Sequence, residues 1–395
     1  MNVKFSTKFV AASAAAVMAL SLAGCSGGSM DDSSSSGAKA SGDSITIGTV
    51  TTNSGTAAAY GEAEVKGFEL AVSEINAKGG INGKKVKLES MDDKGDATEA
   101  SNAYNKLAGD NNVLAVAGPT ISATTAAVAP LADQSKLVTI APAATSDSIE
   151  TGNYLFRTCF KDSYQGEVAA RFAAENLKVK KVAVLYGTGD PYSSGVGEAF
   201  AKAAEKLGLE VVDKESSSSA DDTEYSAQLQ KIQASGAELL YAPYYYSVAG
   251  PYIIPQARSV GFEGYVMGPD GYDGLKLTGD KSQYNKTYYT THYSADDNTN
   301  TKVQDFIKSY KSKNNAEPNT FAALGYDTIY MIKQAIEKAG KNATREDVRN
   351  AVAGMTFDGV TGKFTMDKSG SPTKSVTVLE MKDGKPVYNT TVQPK

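Results

Sequence analysis

Two turns in the first half of the chain carry side chains suited to holding a small anion. Residues 113–148 read VLAVAGPTISATTAAVAPLADQSKLVTIAPAATSDS. The pattern predicts an apolar strand over 113–117, a Gly118-Pro119 turn, and a helix from near Ser122. A second strand, 137–141, runs into the small-residue turn Pro142-Ala143-Ala144-Thr145. Ser122 stands before Ala123-Thr124-Thr125 as an N-cap. Its hydroxyl and the first free N–H groups of the helix then point at one spot, which favours an anion. Ala143 and Ala144 add little bulk, so a ligand can approach the backbone there and still meet the Thr145 hydroxyl. Both turns follow the carboxyl ends of strands, where an open α/β sheet places its ligand crevice. The simpler alternative makes Ser122 a helix cap and nothing more.

Other chemistries find little support. The chain has 1 histidine, so multi-histidine metal sites are excluded and a Ser-His-Asp triad would rest on His292 alone. Nothing around His292 orients a base, and it reads as a solvated or capping residue. The turn Gly187-Thr188-Gly189-Asp190-Pro191-Tyr192 lacks the third glycine of a dinucleotide fingerprint, and no phosphate-loop lysine motif occurs. Asp92-Asp93 and Asp296-Asp297 lack calcium-loop spacing and read as solvated strand ends. Asp270, in Gly268-Pro269-Asp270-Gly271, reads locally as a turn residue. An enzyme would have no nucleophile, metal or cofactor to work with, and no cofactor is expected.

The elements that must position these residues follow from length and patterning. A chain of 395 residues suits two lobes rather than one core. Net charge is −5, so no basic footprint invites nucleic acid. The N-terminus reads as a targeting segment, with Lys4 and Lys8 ahead of an apolar run over 9–22 too short to span a bilayer. Leu22-Ala23-Gly24-Cys25 resembles the bacterial lipobox. It implies cleavage after residue 24, a lipid on Cys25, and a cell-membrane anchor on the extracytoplasmic face. Loss of the two lysines takes the formal charge from −5 to −7. A Ser/Gly-rich tether then fills 25–43. With Cys25 lipidated, Cys159 has no partner for an internal disulfide and reads as a small strand residue.

Strand and helix patterns alternate from residue 44 onward. Strands are predicted at 44–50, 84–91, 113–117, 137–141 and 154–158, with helices at 57–78, 97–108 and from 122 between the first four. A second α/β series follows, with strands at 181–186, 209–215, 238–242, 264–268 and 286–292. Its helices fall at 165–176, 191–207, 224–234 and 248–259. Helices at 303–313, 321–339 and 345–353 come next. A terminal hairpin, 375–381 with 386–392, turns at Lys382-Asp383-Gly384-Lys385. Such alternation predicts α/β lobes with mostly parallel sheets covered by helices.

In that frame, several segments carry a family likeness: AAAYGEAEVKGFELAVSEINAKGGINGKKV (57–86), GPTISATTAAVAP (118–130), IAPAAT (140–145), YLFRTCFKDSYQG (154–166), VMGPDGYD (266–273) and GYDTIY (325–330). Over roughly 44–392 the chain resembles the type I periplasmic binding proteins, specifically the branched-chain amino-acid group serving ABC transporters. The resemblance implies a two-lobed type I periplasmic-binding-protein fold with three interlobe crossings. Lobe 1 would comprise 44–160 plus 291–356, and lobe 2 would comprise 161–290 plus 357–395. It implies a monomer that captures an amino acid between the lobes and hands it to permease subunits.

Carried over residue by residue, Ser122 would bind the ligand's carboxylate, and Thr145 would meet both carboxylate and ammonium. Ala143 would offer its carbonyl to the ammonium, Asp270 would supply the opposing carboxylate, and Tyr192 would close from the second lobe. Tyr60, Phe321 and one of Tyr244, Tyr245 or Tyr246, here Tyr246, would line the side-chain pocket. Another small amide, amino acid or aromatic acid on the same fold, or a sensory ligand-binding module, are the alternatives. Thr120-Ile121 follows Gly118-Pro119 where relatives vary, which leaves the preferred side chain open.

Overall fold

The computed structural model describes residues 44–149, 153–219, 221–296 and 300–394. The signal-like segment, Cys25, the tether and Asp297 lie outside the described residues.

The first series builds a five-stranded sheet. Its strands are β1 (Ser44–Thr51), β2 (Lys85–Asp92), β3 (Val113–Ala117), β4 (Val138–Ala141) and β5 (Leu155–Arg157), in the order β2-β1-β3-β4-β5. Every pairing in it is parallel. Three helices make the crossovers or cover the sheet: α1 (Ala58–Ala77), α2 (Ala97–Gly109) and α3 (Ser122–Ser135). β3 is buried at all five positions, as an apolar central strand covered on both faces must be. Asp96 caps α2 by accepting from Thr98 and Glu99 N–H groups at 2.8 and 2.9 Å.

After β5 the chain enters a second sheet. α4 (Asp162–Glu175) leads to β6 (Lys181–Gly187), α5 (Pro191–Lys206), β7 (Glu210–Ser217), α6 (Ser226–Ala234) and β8 (Leu239–Tyr241). Pro191 takes the first turn of α5, and Asp190 caps that helix by accepting from Tyr192 N–H at 3.1 Å. The helix expected over 248–259 starts earlier and is broken into α7 (Tyr246–Val248), a π turn (Ala249–Ile253) and α8 (Ile254–Ser259). Gly250-Pro251 lies in the π turn, and proline has no N–H for a regular helical ladder. β9 (Tyr265–Gly268) and β10 (Thr287–Thr291) complete the parallel part.

The chain then returns to the first sheet through α9 (Thr301–Asn314), α10 (Thr320–Ala339) and α11 (Arg345–Val352). A hairpin the sequence did not announce follows, β11 (Thr356–Gly359) with β12 (Gly362–Thr365). Its Phe357 and Phe364 join Ile329, Ile332 and Ile336 of α10 in the core beneath β1, β3 and β4. Last, β13 (Val376–Lys382) and β14 (Lys385–Val392) add antiparallel strands to the second sheet, whose order is β14-β13-β10-β9-β8-β6-β7. The chain thus passes between the sheets after β5, after β10 and after β12.

Two corrections concern polar residues. Asp93 is no solvated strand end: it is buried and accepts from the Thr52 hydroxyl at 2.6 Å. Cys159 follows β5 rather than lying in it, buried with its thiol on the Ala144 carbonyl at 3.3 Å. Burial pushes that thiol up to about 12, so it is an inert thiol at neutral pH.

Candidate functional site

The carboxyl ends of both parallel sheets face one another, and the turns beyond them meet around a single small cavity. Tyr60, Thr120, Ile121, Ser122, Ala143 and Phe321 line it from the first sheet's side; Tyr192, Tyr245, Asp270 and Gly271 line it from the second. Six of the eight residues singled out in the sequence therefore come together. The space is about 20 Å³, room for roughly one water. A larger guest can enter only if the walls move apart.

Ser122 is placed differently from the sequence reading. It is the first residue of α3, and Ile121 holds the cap position without a side-chain cap bond. The Ser122 oxygen accepts instead from Ser146 N–H at 3.1 Å. That contact orients the hydroxyl and leaves its proton free to donate to an anion beside the exposed first N–H groups of the helix. The preceding Gly118 has φ +123, and a Cβ there would collide with the Val50 carbonyl, so the chain can make this turn only with glycine.

Thr145 lies just behind the lining, buried, and its hydroxyl has no close hydrogen-bond partner among the described residues. Its carbonyl is held by Arg157 Nη1 at 2.8 Å, and Arg157 Nη2 holds the Ser146 carbonyl at 3.1 Å. This fully buried guanidinium fixes the turn from beneath. Behind Thr120, whose hydroxyl donates to Glu64 at 2.6 Å, burial pushes the Glu64 and Asp93 carboxyls up. Burial disfavours the charged form of both carboxyls, which weakens their opposition to an anion at Ser122.

The opposite wall centres on Asp270, which is 2% exposed. Its Oδ1 accepts from the Tyr192 hydroxyl at 2.9 Å and from Gln165 Nε2 at 3.2 Å. Its Oδ2 faces His292 Nε2 at 3.1 Å. Tyr192 also accepts from Gly271 N–H at 2.8 Å, and Thr290 donates to Gln165 Oε1 at 3.1 Å. His292 is therefore neither solvated nor a cap; it is buried against the carboxylate, with Phe160 stacked on its ring at 3.6 Å. Oδ1 already has two donors and Oδ2 only one, so Oδ2 keeps room for a further donor, and an ammonium is the donor that a buried carboxylate favours most.

Aromatic rings close the remaining side. Tyr60 stacks on Phe321 at 3.9 Å, and Tyr192 stacks on Tyr245 at 5.2 Å. Tyr245, rather than Tyr246, lines the cavity; the Tyr246 ring lies 4.9 Å from Tyr60, and its hydroxyl accepts from Ala59 N–H at 3.2 Å. Tyr60 donates to the Gly271 carbonyl and accepts from Tyr246 N–H at 3.0 Å. Burial pushes the Tyr60 and Tyr192 phenols up, so both remain donors. With those hydroxyls engaged inside the protein, the rings offer carbon surface to whatever they enclose. The wall suits an aliphatic group.

The sequence reading assigned no role to Arg157, Asp162 or Gln165 and took His292 as solvated or capping. The first three stand in the quoted segment YLFRTCFKDSYQG, and its density of polar residues between a strand and a helix was the available signal. The chain matches the periplasmic binding protein family over residues 44–386. It is 30% identical to the Leu/Ile/Val-binding protein homolog 3 of Brucella melitensis, covering 86% of this chain and 92% of that one. It is also 30% identical to the leucine-, isoleucine-, valine-, threonine-, and alanine-binding protein of Pseudomonas aeruginosa, over 83% and 87% of the two chains. A structure of the branched-chain amino acid transporter substrate binding protein LivJ from Streptococcus pneumoniae, in complex with isoleucine, superposes with a TM-score of 0.82. It shares 32% identity and covers 89% of this chain and 100% of that one.

Proposed function

The chain belongs to the periplasmic binding protein family, and on that footing we propose that it captures a branched-chain amino acid between its two lobes for an ABC importer. The observation that carries the reading is the polarity of the cavity. A hydroxyl-rich helix N-terminus stands at one wall, a buried carboxylate at the other, and rings with satisfied hydroxyls between them. An α-amino acid with an aliphatic side chain matches all three. Ser122 and Thr145 hold its carboxylate, Asp270 and the Ala143 carbonyl its ammonium, and Tyr60, Phe321 and Tyr245 its side chain. A purely acidic aromatic ligand would meet repulsion at Asp270.

The narrow cavity supports capture by opening and closure of the lobes. We place the lobe boundaries at the three passages between the sheets. The hairpin Thr356–Thr365 goes with the first lobe, because its phenylalanines pack in that core. A thermal-shift screen against the common amino acids and benzoate tests the function. Leucine, isoleucine and valine are expected to raise the melting temperature, a ligand at 100 times its Kd adding about 2.7 kcal/mol. A response to benzoate with none to these three would sink the proposal.

Membrane anchoring through Cys25 rests on Leu22-Ala23-Gly24-Cys25 ahead of a Ser/Gly-rich tether. Cys25→Ser is expected to move the protein from the membrane fraction to the soluble one, or to leave the precursor uncut. Unchanged fractionation together with an unchanged mature mass would contradict the anchor. The handover partner in this reading is a membrane permease, with the protein acting as a monomer.

A further inference from the structure

We propose that His292 is a positioning residue for ligand recognition: its Nε2–H fixes the Asp270 carboxylate for the ligand's ammonium without itself supplying the countercharge. The inference rests on the reading of Asp270 as the ammonium partner and adds the group that sets its geometry.

A carboxylate oxygen only accepts, so the ring nitrogen 3.1 Å from Asp270 Oδ2 must carry a proton. The other nitrogen, Nδ1, is buried and has no hydrogen-bond partner among the described residues. An imidazolium needs an acceptor at both nitrogens when it is buried, and here there is one. The neutral Nε2–H tautomer is the form this site supports. Desolvation acts the same way and takes the imidazole down to about 4, against the pull of the Asp270 hydrogen bond and with the buried Lys374 ammonium adding to the decrease.

Neutrality matters for function. A cationic partner at Oδ2 would form an internal ion pair with Asp270 and compete with the incoming ammonium. A neutral donor orients the carboxylate and leaves its charge for the ligand. The neighbouring contacts have the same character. Tyr192 supplies a phenol and Gln165 an amide, so all three side chains that donate to Asp270 are uncharged. The ring is locked in turn by Phe160, stacked at 3.6 Å with planes 23° apart. His292 follows β10, while Asp270 follows the adjacent β9, so parallel pairing of the two strands sets their separation.

The test compares L-leucine with 4-methylpentanoate, which keeps the carboxylate and side chain but lacks the amine. His292→Phe keeps the stack on Phe160 and removes the donor. It is expected to weaken leucine roughly 10- to 100-fold while changing 4-methylpentanoate less than about threefold. His292→Gln restores an N–H donor and is expected to recover leucine binding to within about threefold of the parent. Equal losses for both ligands would reduce His292 to a structural residue, and an unchanged leucine affinity would also overturn the proposal. Should His292→Phe fail to fold, the unaltered protein decides. It has 1 histidine, so histidine-selective ¹⁵N labelling reports one ring. A neutral Nε2–H ring from pH 5 to 8, with and without leucine, is expected. A cationic ring or the Nδ1–H tautomer would overturn it. Asp270→Asn separates the two levels of the argument: unchanged leucine binding there defeats the ammonium reading itself, whereas a loss there with none in His292→Phe defeats only the role of His292.

Discussion

Asp270→Asn is expected to weaken L-leucine binding by roughly 30- to 1,000-fold, about 2–4 kcal/mol. The substitution preserves shape and removes the charge that faces the ammonium. Folding should change by only about 1 kcal/mol. The side chain is buried, yet its neighbours adapt: neutral His292 can switch tautomer and accept from the new amide, and Tyr192 retains an oxygen to donate to. Asp273→Asn, three residues on, is the control and should show the opposite profile. Asp273 is partly buried, accepts from Thr320 N–H at 2.9 Å, and desolvation raises its carboxyl to about 6. A folded pKa above the ordinary value means that the charged form costs stability. That stabilising preference for the proton is complete below about pH 4 and lost as pH rises through 6. Asn keeps the acceptor for Thr320 and carries no charge. The variant should therefore gain about 1–3 kcal/mol at pH 7, with the gain fading toward pH 4, and should bind leucine within about threefold of the parent. Calorimetric titration and denaturant melts at pH 4.5 and 7 read both effects. A leucine affinity within threefold for Asp270→Asn would defeat the zwitterion clamp.

Gly67→Val is expected to destabilise the protein by about 3 kcal/mol, or roughly 5–10 °C in melting temperature. Gly67 lies where α1 crosses α10. A Cβ there would fall on the Ala322 carbonyl and within 2.9 Å of the Tyr326 nitrogen. These are backbone atoms of a helix, so no side-chain rotation can relieve the clash, and the helices must separate. Tyr60 belongs to α1 and Phe321 to α10, so the same separation should spread the aromatic wall stacked at 3.9 Å. Leucine affinity is expected to fall with stability. A melting temperature within 2 °C of the parent would show that the helix pair yields more easily than this close approach allows.

How much was legible depended on whether a signal was local. The alternation of apolar strands and amphipathic helices gave the α/β lobes, because each element's period reports its own burial. Tyr60, Ser122, Ala143, Tyr192, Asp270 and Phe321 stand in motifs at element ends, and the fold brings such ends to one crevice. Ser122 was misread as a cap because a serine before Ala-Thr-Thr fits either side of the helix boundary. Three successive tyrosines at 244–246 are alike in chemistry, and only the turn into α7 decides that Tyr245 faces the cavity. His292, Gln165 and Asp162, whose Oδ1 accepts from Gln165 Nε2 at 2.8 Å, could not be seen as one network. Gln165 meets Asp270 across 105 residues, and no local periodicity encodes that contact. The hairpin at Thr356–Thr365 was missed among loop residues, although Phe357 and Phe364 are its buried aromatic positions and pair directly.

The central claim is that the two ends of a zwitterion are held from opposite lobes, and a crystal structure of the leucine complex tests it most directly. The account predicts the ligand carboxylate within about 3 Å of Ser122 Oγ and Thr145 Oγ1, and the ammonium at the same distance from Asp270. The lobes should close around it with Tyr60 and Phe321 against the isobutyl group. A ligand bound with its ammonium toward Ser122, or bound outside the Ser122–Asp270 cleft, would contradict the account.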